Sequence, residues 1–177
     1  MSLAEFLAWE REQEFRYEFD GIQPIPVAMT GGTAAHSRIA TNLLLALAAR
    51  LRPPFEAFRG DMKILAAGRI RYPDLLVVGA DVPDDADFAA DPVAVVEVLS
   101  ASTAIVDRTV KMAEYQATPS IQHYVMLEQS RAEAVVLSRG VDGWTETRPA
   151  GPDATLALPA VGVELSLRDL YRHPPAD

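Results

Sequence analysis

Tyr72-Pro73-Asp74-Leu75-Leu76-Val77-Val78 and Val93-Ala94-Val95-Val96-Glu97-Val98-Leu99-Ser100 are the two stretches on which the fold turns. Both are apolar runs of strand length rich in Val and Leu, and the second is nearly continuous, as expected of a strand covered on both faces. Each carries one carboxylate, Asp74 at the mouth of the first strand and Glu97 near the end of the second. An ionised carboxylate in such surroundings must find a cation or strong donors. A metal ion shared by the two would supply one, provided the strands are neighbours and the two side chains share a face.

Downstream, Ser100-Ala101-Ser102-Thr103 reads as a polar bend, and Asp107 opens a helix through Gln116 that stops before Pro119. Lys111 and Tyr115 are four residues apart and share one face of it. Gln122 to Leu127 is again apolar, so Val93 to Leu127 forms a strand-helix-strand unit of the kind that makes a parallel crossover. A hairpin follows, Ala134 to Ser138 with Trp144 to Arg148, turned at Asp142-Gly143. Short strands near Thr155 to Leu158 and Val161 to Leu165 and a helical turn capped by Ser166 close the chain.

Upstream, Ser2-Leu3-Ala4-Glu5 is a capping box starting an amphipathic helix to about Glu14. Phe15 to Phe19 and Ile25 to Met29 suggest a hairpin around Asp20-Gly21, with Pro24 and Pro26 limiting its pairing. Thr33 caps a long helix to about Leu51, stopped by Pro53-Pro54. Strands are expected near Phe55 to Phe58, Met62 to Leu65 and Ile70 to Val78, with a turn at Ala67-Gly68. Gly79 to Asp91 reads as an exposed loop.

The whole is one domain, residues 1–177, of α/β class with a mixed twisted sheet flanked by helices. About half of the residues are apolar (49%), enough for a real core. The absence of cysteine excludes disulfides, thiolate zinc sites and cysteine nucleophiles. No signal-peptide pattern or membrane-length apolar run is present, which points to a cytoplasmic protein without membrane contact.

A net charge of -9 argues against a protein that coats nucleic acid. The charge is uneven, however. From His36 to Pro73 seven basic residues face two acids, and from Asp74 to Glu97 seven acids stand without a base. A basic segment leading into an acidic one suits a site that needs phosphate contacts and metal ligands, although a solvated charged surface gives the same pattern. Any DNA contact is therefore expected to be local, weak and salt-dependent, carried by Arg38, Arg59, Lys63, Arg69 or Arg71.

Ordinary structural roles compete for most of these residues. Asp74 after a proline suits a strand start, and Lys111 can pair with Asp107 at i,i+4 spacing. Tyr115 can be core with its hydroxyl at the edge. His36 can be a helix-end histidine with a local hydrogen bond, and Glu18 an exposed strand charge facing Arg16 or Arg38. Ser100, Ser102 and Thr103 cap the chain into the helix, with no histidine nearby to activate a serine.

Several segments together resemble the Uma-type restriction endonuclease family, a bacterial branch of the PD-(D/E)XK nuclease superfamily. They are Arg16-Tyr17-Glu18-Phe19-Asp20-Gly21, Ala28-Met29-Thr30-Gly31-Gly32-Thr33-Ala34-Ala35-His36-Ser37-Arg38-Ile39, Tyr72-Pro73-Asp74, Val96-Glu97-Val98-Leu99-Ser100-Ala101-Ser102-Thr103, Asp107 with Lys111 and Tyr115, and Asp142-Gly143-Trp144. The resemblance covers nearly the whole chain. It implies a restriction-endonuclease-like core and a hydrolase cleaving DNA phosphodiester bonds with Mg or Mn. In that reading Asp74 and Glu97 are the acidic metal ligands and Lys111 the basic member of the catalytic set, with Glu18, His36 and Tyr115 as a second tier. In the superfamily pattern the lysine stands two residues after the acid, which is Leu99 here, so Lys111 must reach back from the next helix. The alternatives are a non-catalytic interaction protein keeping the fold, as a homodimer or a partner of a mobile-element system, and a metal-dependent phosphoesterase acting on a small substrate.

Overall fold

The computed structural model describes residues 1–27, 32–79, 81–100 and 104–173. Ser2 opens α1 (Leu3–Glu10) with a complete capping box, its hydroxyl accepting from the Glu5 N–H and Glu5 accepting from the Ser2 N–H. The helix ends at Glu10 rather than Glu14, because Glu10 is drawn inward: it is buried, ion-paired to Lys63, and accepts from the Tyr72 hydroxyl at 2.6 Å. β1 (Tyr17–Phe19) and β2 (Pro24–Pro26) pair antiparallel around Asp20, whose Oδ1 accepts from the Ile22 and Gln23 N–H groups. Both prolines lie on β2, the edge strand, where a missing donor does least harm. The expected continuation to Met29 lies outside the described residues, as does the segment Ala28 to Gly31.

Thr33 caps α2 (Ala34–Arg50), which buries Ile39, Leu43 and Leu47 on one side. β3 (Glu56–Arg59), β4 (Lys63–Ala66) and β5 (Arg69–Arg71) follow, the last two joined by Ala67 and Gly68 at φ 47° and 78°. The expected single strand from Ile70 to Val78 is divided. β5 belongs to one sheet and β6 (Leu75–Val78) to another, and Tyr72-Pro73-Asp74 carries the chain between them. Pro73, with no N–H to give a ladder, falls where the chain changes sheet. The loop after β6 contains a further two-residue strand, β7 (Phe88–Ala89), parallel to β4.

β8 (Pro92–Val98) leads into α3 (Ala104–Val106), a π-helical turn (Asp107–Lys111) and α4 (Met112–Ala117), and then β9 (His123–Leu127) returns parallel to β8. The helix thus starts three residues before Asp107, its first N–H donating to the Ser100 carbonyl at 3.0 Å. Ala101, Ser102 and Thr103 lie outside the described residues. β10 (Ala134–Gly140) and β11 (Gly143–Thr147) make the hairpin, β12 (Thr155–Leu158) and β13 (Val163–Ser166) a small ribbon, and α5 (Leu167–Tyr171) packs back on α2.

Two sheets organise the domain: β2-β1-β5-β4-β7, and the mixed sheet β11-β10-β9-β8-β6-β3. Alternation along the central strands divides the core. Leu75, Val77, Ala94 and Val96 pack with α2, while Leu76, Val78 and Val95 pack with Tyr115 and Tyr124. On this second side Arg71 is buried, with Nε and NH2 each 2.7 Å from Glu114 of α4 and NH1 3.1 Å from Glu18 of β1, tying the smaller sheet to the helix.

Replacing one member of such a pair strands the other in the interior. Arg71→Met should lower unfolding free energy by about 3–5 kcal/mol, read from urea melts, and Arg71→Met combined with Glu114→Leu should recover much of it. A second expectation comes from His123, buried on β9. Its Nε2 accepts from the Ala160 N–H at 3.1 Å, so its Nδ1, 2.9 Å from Ser138 Oγ, carries the proton of a neutral ring. Burial holds its pKa below the usual 6.5. The unfolded chain therefore binds the extra proton first, and the stability due to this neutral ring is lost as pH falls through and below 6.5. Melts at stepped pH should show a shallower acid-side decline for His123→Gln than for the wild type.

Candidate active site

The pairing of β6 with β8 sets Leu75 opposite Val96. Extending this register by one step beyond the ladder brings Asp74 and Glu97 level where β6 begins. Asp74 stands at the rim, its side chain about a quarter exposed (26%), and Glu97 stands inside at 4% exposure. Burial pushes the Glu97 carboxyl above the usual carboxylate range, Lys111 pulls it back, and the charges of Asp74 and Asp107 add to the rise.

Glu97 Oε1 accepts from Lys111 Nζ at 2.8 Å and from the Tyr115 hydroxyl at 3.2 Å. Lys111 reaches Glu97 from the following helical segment, while Leu99, at the superfamily's usual lysine place, is a core residue. Burial alone would lower the Lys111 pKa, but Glu97, Glu18 and Asp107 raise it above the ordinary lysine value, so the group is an ammonium ion. Tyr115 is fully buried and its hydroxyl is pushed far up, first by desolvation and then by Glu97.

Asp74 is held by two donors. Val98 N–H donates to Oδ2 at 2.7 Å, and His36 Nε2 lies 3.0 Å from Oδ1. The hydrogen bond to Asp74 raises the His36 pKa; burial opposes the rise, the charges of Asp74 and Glu97 support it, and Arg59 opposes it. Arg59 is exposed and pairs with Leu75 across β3 and β6, beside Asp74. His36 is placed by the α2 cap, where Thr33 Oγ1 accepts from the His36 N–H at 3.1 Å and donates to Gln129 Oε1 at 2.6 Å. Gln129 Nε2 in turn donates to the Leu99 carbonyl at 2.8 Å, so one amide ties the start of α2 to the end of β8. Nothing in the sequence marked Gln129, which follows a strand end with no motif around it.

The other candidates separate. Glu18 takes Arg71 and the Tyr72 N–H, and reaches Lys111 and Tyr115 through its charge alone. Lys63 and Arg71 are withdrawn from the expected DNA footprint: both are buried, Lys63 against Glu10 and Arg71 between Glu18 and Glu114, where no phosphate can reach them without breaking an internal pair. Arg69 is partly exposed and leans on Glu114 at 3.2 Å. Arg38, partly exposed on α2, and exposed Arg59 make no ion pair among the described residues. Among those residues, too, no three His, Asp or Glu side chains gather as a ready-made metal cage, and no helix is long and apolar enough to cross a membrane.

A crystal structure of a putative nuclease belonging to DUF820 from Anabaena variabilis ATCC 29413 superposes with a TM-score of 0.77 over 97% of each chain at 20% identity, a likeness of fold. Two uncharacterised proteins of Synechocystis sp. (strain ATCC 27184 / PCC 6803 / Kazusa) are similar in sequence. One, slr1290, is 31% identical over 97% of this chain and 92% of its own length, and the other, sll1609, is 30% identical over 73% of this chain and 75% of its own length. The sequence profile of the Uma2 family, described as putative restriction endonuclease, matches residues 3–168. The protein belongs to the Uma2 family of nuclease-fold proteins.

Proposed function

We propose that this chain is a metal-dependent endonuclease that hydrolyses phosphodiester bonds of DNA, with Asp74 and Glu97 holding Mg or Mn and Lys111 as the neighbouring cation. The observation that carries the reading is the Lys111 ammonium on Glu97, one residue past the pairing of Leu75 with Val96 at which the β6–β8 ladder ends beside Asp74. The donor set fits a hard divalent ion. Its ligands are carboxylate oxygens, and the upward pull of burial and of Asp74 on Glu97 is the kind that an added positive charge reverses. Two carboxylates without a third also suit Mg, which usually keeps several waters and takes phosphate oxygens. When bound, such an ion orients the phosphate, acidifies an attacking water and offsets charge on the leaving oxygen.

The chain's own groups have distinct parts in this reading. The Val98 N–H and His36 fix the orientation of Asp74, as partners behind a ligand carboxylate do. Lys111, being protonated, offers positive charge to a phosphate rather than a base to a water. Arg59, on β3 beside Asp74, and Arg38 on α2 are the cations assigned to flanking phosphates in this reading, and the acidic balance elsewhere keeps that footprint small. The depth of Glu97 and its pairing to Lys111 also favour a second reading, a non-catalytic interaction protein in which this pair is structural. A small-substrate phosphoesterase would use the same ligands without the arginines.

Glu97→Gln should abolish Mg-dependent nicking of supercoiled plasmid while the far-UV spectrum is retained. Lys111→Ala should lower the rate on the order of 100-fold or more and leave Mn binding in place. No nicking by wild type in Mg or Mn, together with loss of several kcal/mol on either substitution, would favour the structural pair instead. For DNA, Arg38→Ala and Arg59→Ala should each weaken duplex binding and reduce the slope of log K against log salt by about 1. Affinity that does not change with salt, or is unaltered in the double variant, would rule out this footprint.

A further inference from the structure

A divalent cation at Glu97 would compete with Lys111 for the same carboxylate and repel it, and the structure holds a second acceptor for the ammonium. The π-helical turn Asp107–Lys111 turns both of its end residues inward, at 1% and 8% exposure, while Thr109 and Val110 between them face solvent. Such turns carry an extra residue and are frequently found at functional sites. Lys111 Nζ lies between two carboxylates, 2.8 Å from Glu97 Oε1 and 3.1 Å from Asp107 Oδ1. The second contact is unlike the first. Asp107 Oδ1 is fully buried with no hydrogen-bond partner among the described residues, so the ammonium faces it without donating to it. A buried acceptor left in that condition is rare and calls for a reason. The backbone beside it does not drift, because the Tyr124 hydroxyl donates to the Asp107 carbonyl at 3.1 Å.

We propose that Asp107 is a positioning residue that takes over the Lys111 ammonium when Glu97 turns to a divalent cation, and thereby sets how readily Glu97 binds one. The proposal rests on the reading of Glu97 as a metal ligand. An ammonium has three donors and at this depth must keep a buried acceptor. A divalent ion at Glu97 repels it, and Asp107 is the carboxylate already within reach. Both acceptors already lie within about 3 Å of Nζ, so a rotation of the lysine end shifts it from one to the other without movement of the helix. The ammonium stays beside the site, where it can still act on a phosphate.

The test titrates MnCl2 into the metal-free full-length chain, with free Mn counted by electron paramagnetic resonance. Asp107→Asn, which keeps shape and removes charge, should weaken Mn binding at least tenfold, because Glu97 is then the one carboxylate among the described residues in contact with the Lys111 ammonium. Asp107→Asn combined with Lys111→Met should restore binding to within a few-fold of wild type, a rescue that a merely structural aspartate would not allow. If wild type binds Mn and the double variant stays as weak as Asp107→Asn, the role of Asp107 is overturned and the metal reading stands. If wild type binds no Mn, the metal reading fails and takes this role with it. Metal-free melts test the sharing separately: Glu97→Gln with Asp107→Asn should lower Tm by more than the two single losses together, and additive losses would also overturn the proposal. Where Asp107→Asn does not fold, Asp107→Glu keeps the charge and should bind Mn within a few-fold of wild type, while tenfold weaker binding counts against it.

Discussion

The carboxylate of Glu97 lies in an apolar sheet, and the parts around it are what that placement demands. An ion at this depth is stable only beside a cation and donors of fixed geometry. The parallel step from β8 to β9 lays a helix across the end of β8, and that helix delivers Lys111 and Tyr115 to the same oxygen. Within the π turn Asp107 and Lys111, at i,i+4 spacing, are both buried. Tyr124, from β9, then closes the far side against the helix.

Asp74 is governed by a different constraint, the change of sheet at Pro73. β6 begins its ladder with β8 at Leu75, so the Val98 N–H lies beyond the last paired residue and donates to the Asp74 side chain instead. The carboxylate takes the place of the missing strand. The same step turns Arg71 inward and Asp74 toward the rim, separating the buried charge network under β5 from the accessible end of the site.

Elements with strong local signals were legible in the sequence. The Ser2-Glu5 box, the Thr33 cap, the turn at Ala67-Gly68 and the crossover from β8 to β9 are read from caps, positive-φ positions and period. Asp74 and Glu97 stood out because charge within apolar runs is informative, and Lys111 and Tyr115 joined them through a shared helix face and the family resemblance. What was hidden is nonlocal. Lys63 and Arg71 look like surface cations in a basic segment, and only the fold brings Glu10 and Glu114 to them. The break at Pro73 was visible as a proline, but an apolar run does not tell which sheet each half joins. The π turn has no propensity signature, and Gln129 acts through a cap 96 residues away.

The two halves of the site differ in how much chain must be gathered to make them. Glu97 meets Lys111 across 14 residues, with a helix already shortening the path, whereas Asp74 meets His36 across 38. By the logarithmic law for flexible loops, the longer closure costs about 0.9 kcal/mol more entropy, before the helix is counted. The Glu97 half is therefore a nearly local structure, and the Asp74 half depends on α2 docking from a distance. Loosening α2 from the sheet would release His36 and the rim first, leaving the interior ion pair of Glu97 and Lys111 closed.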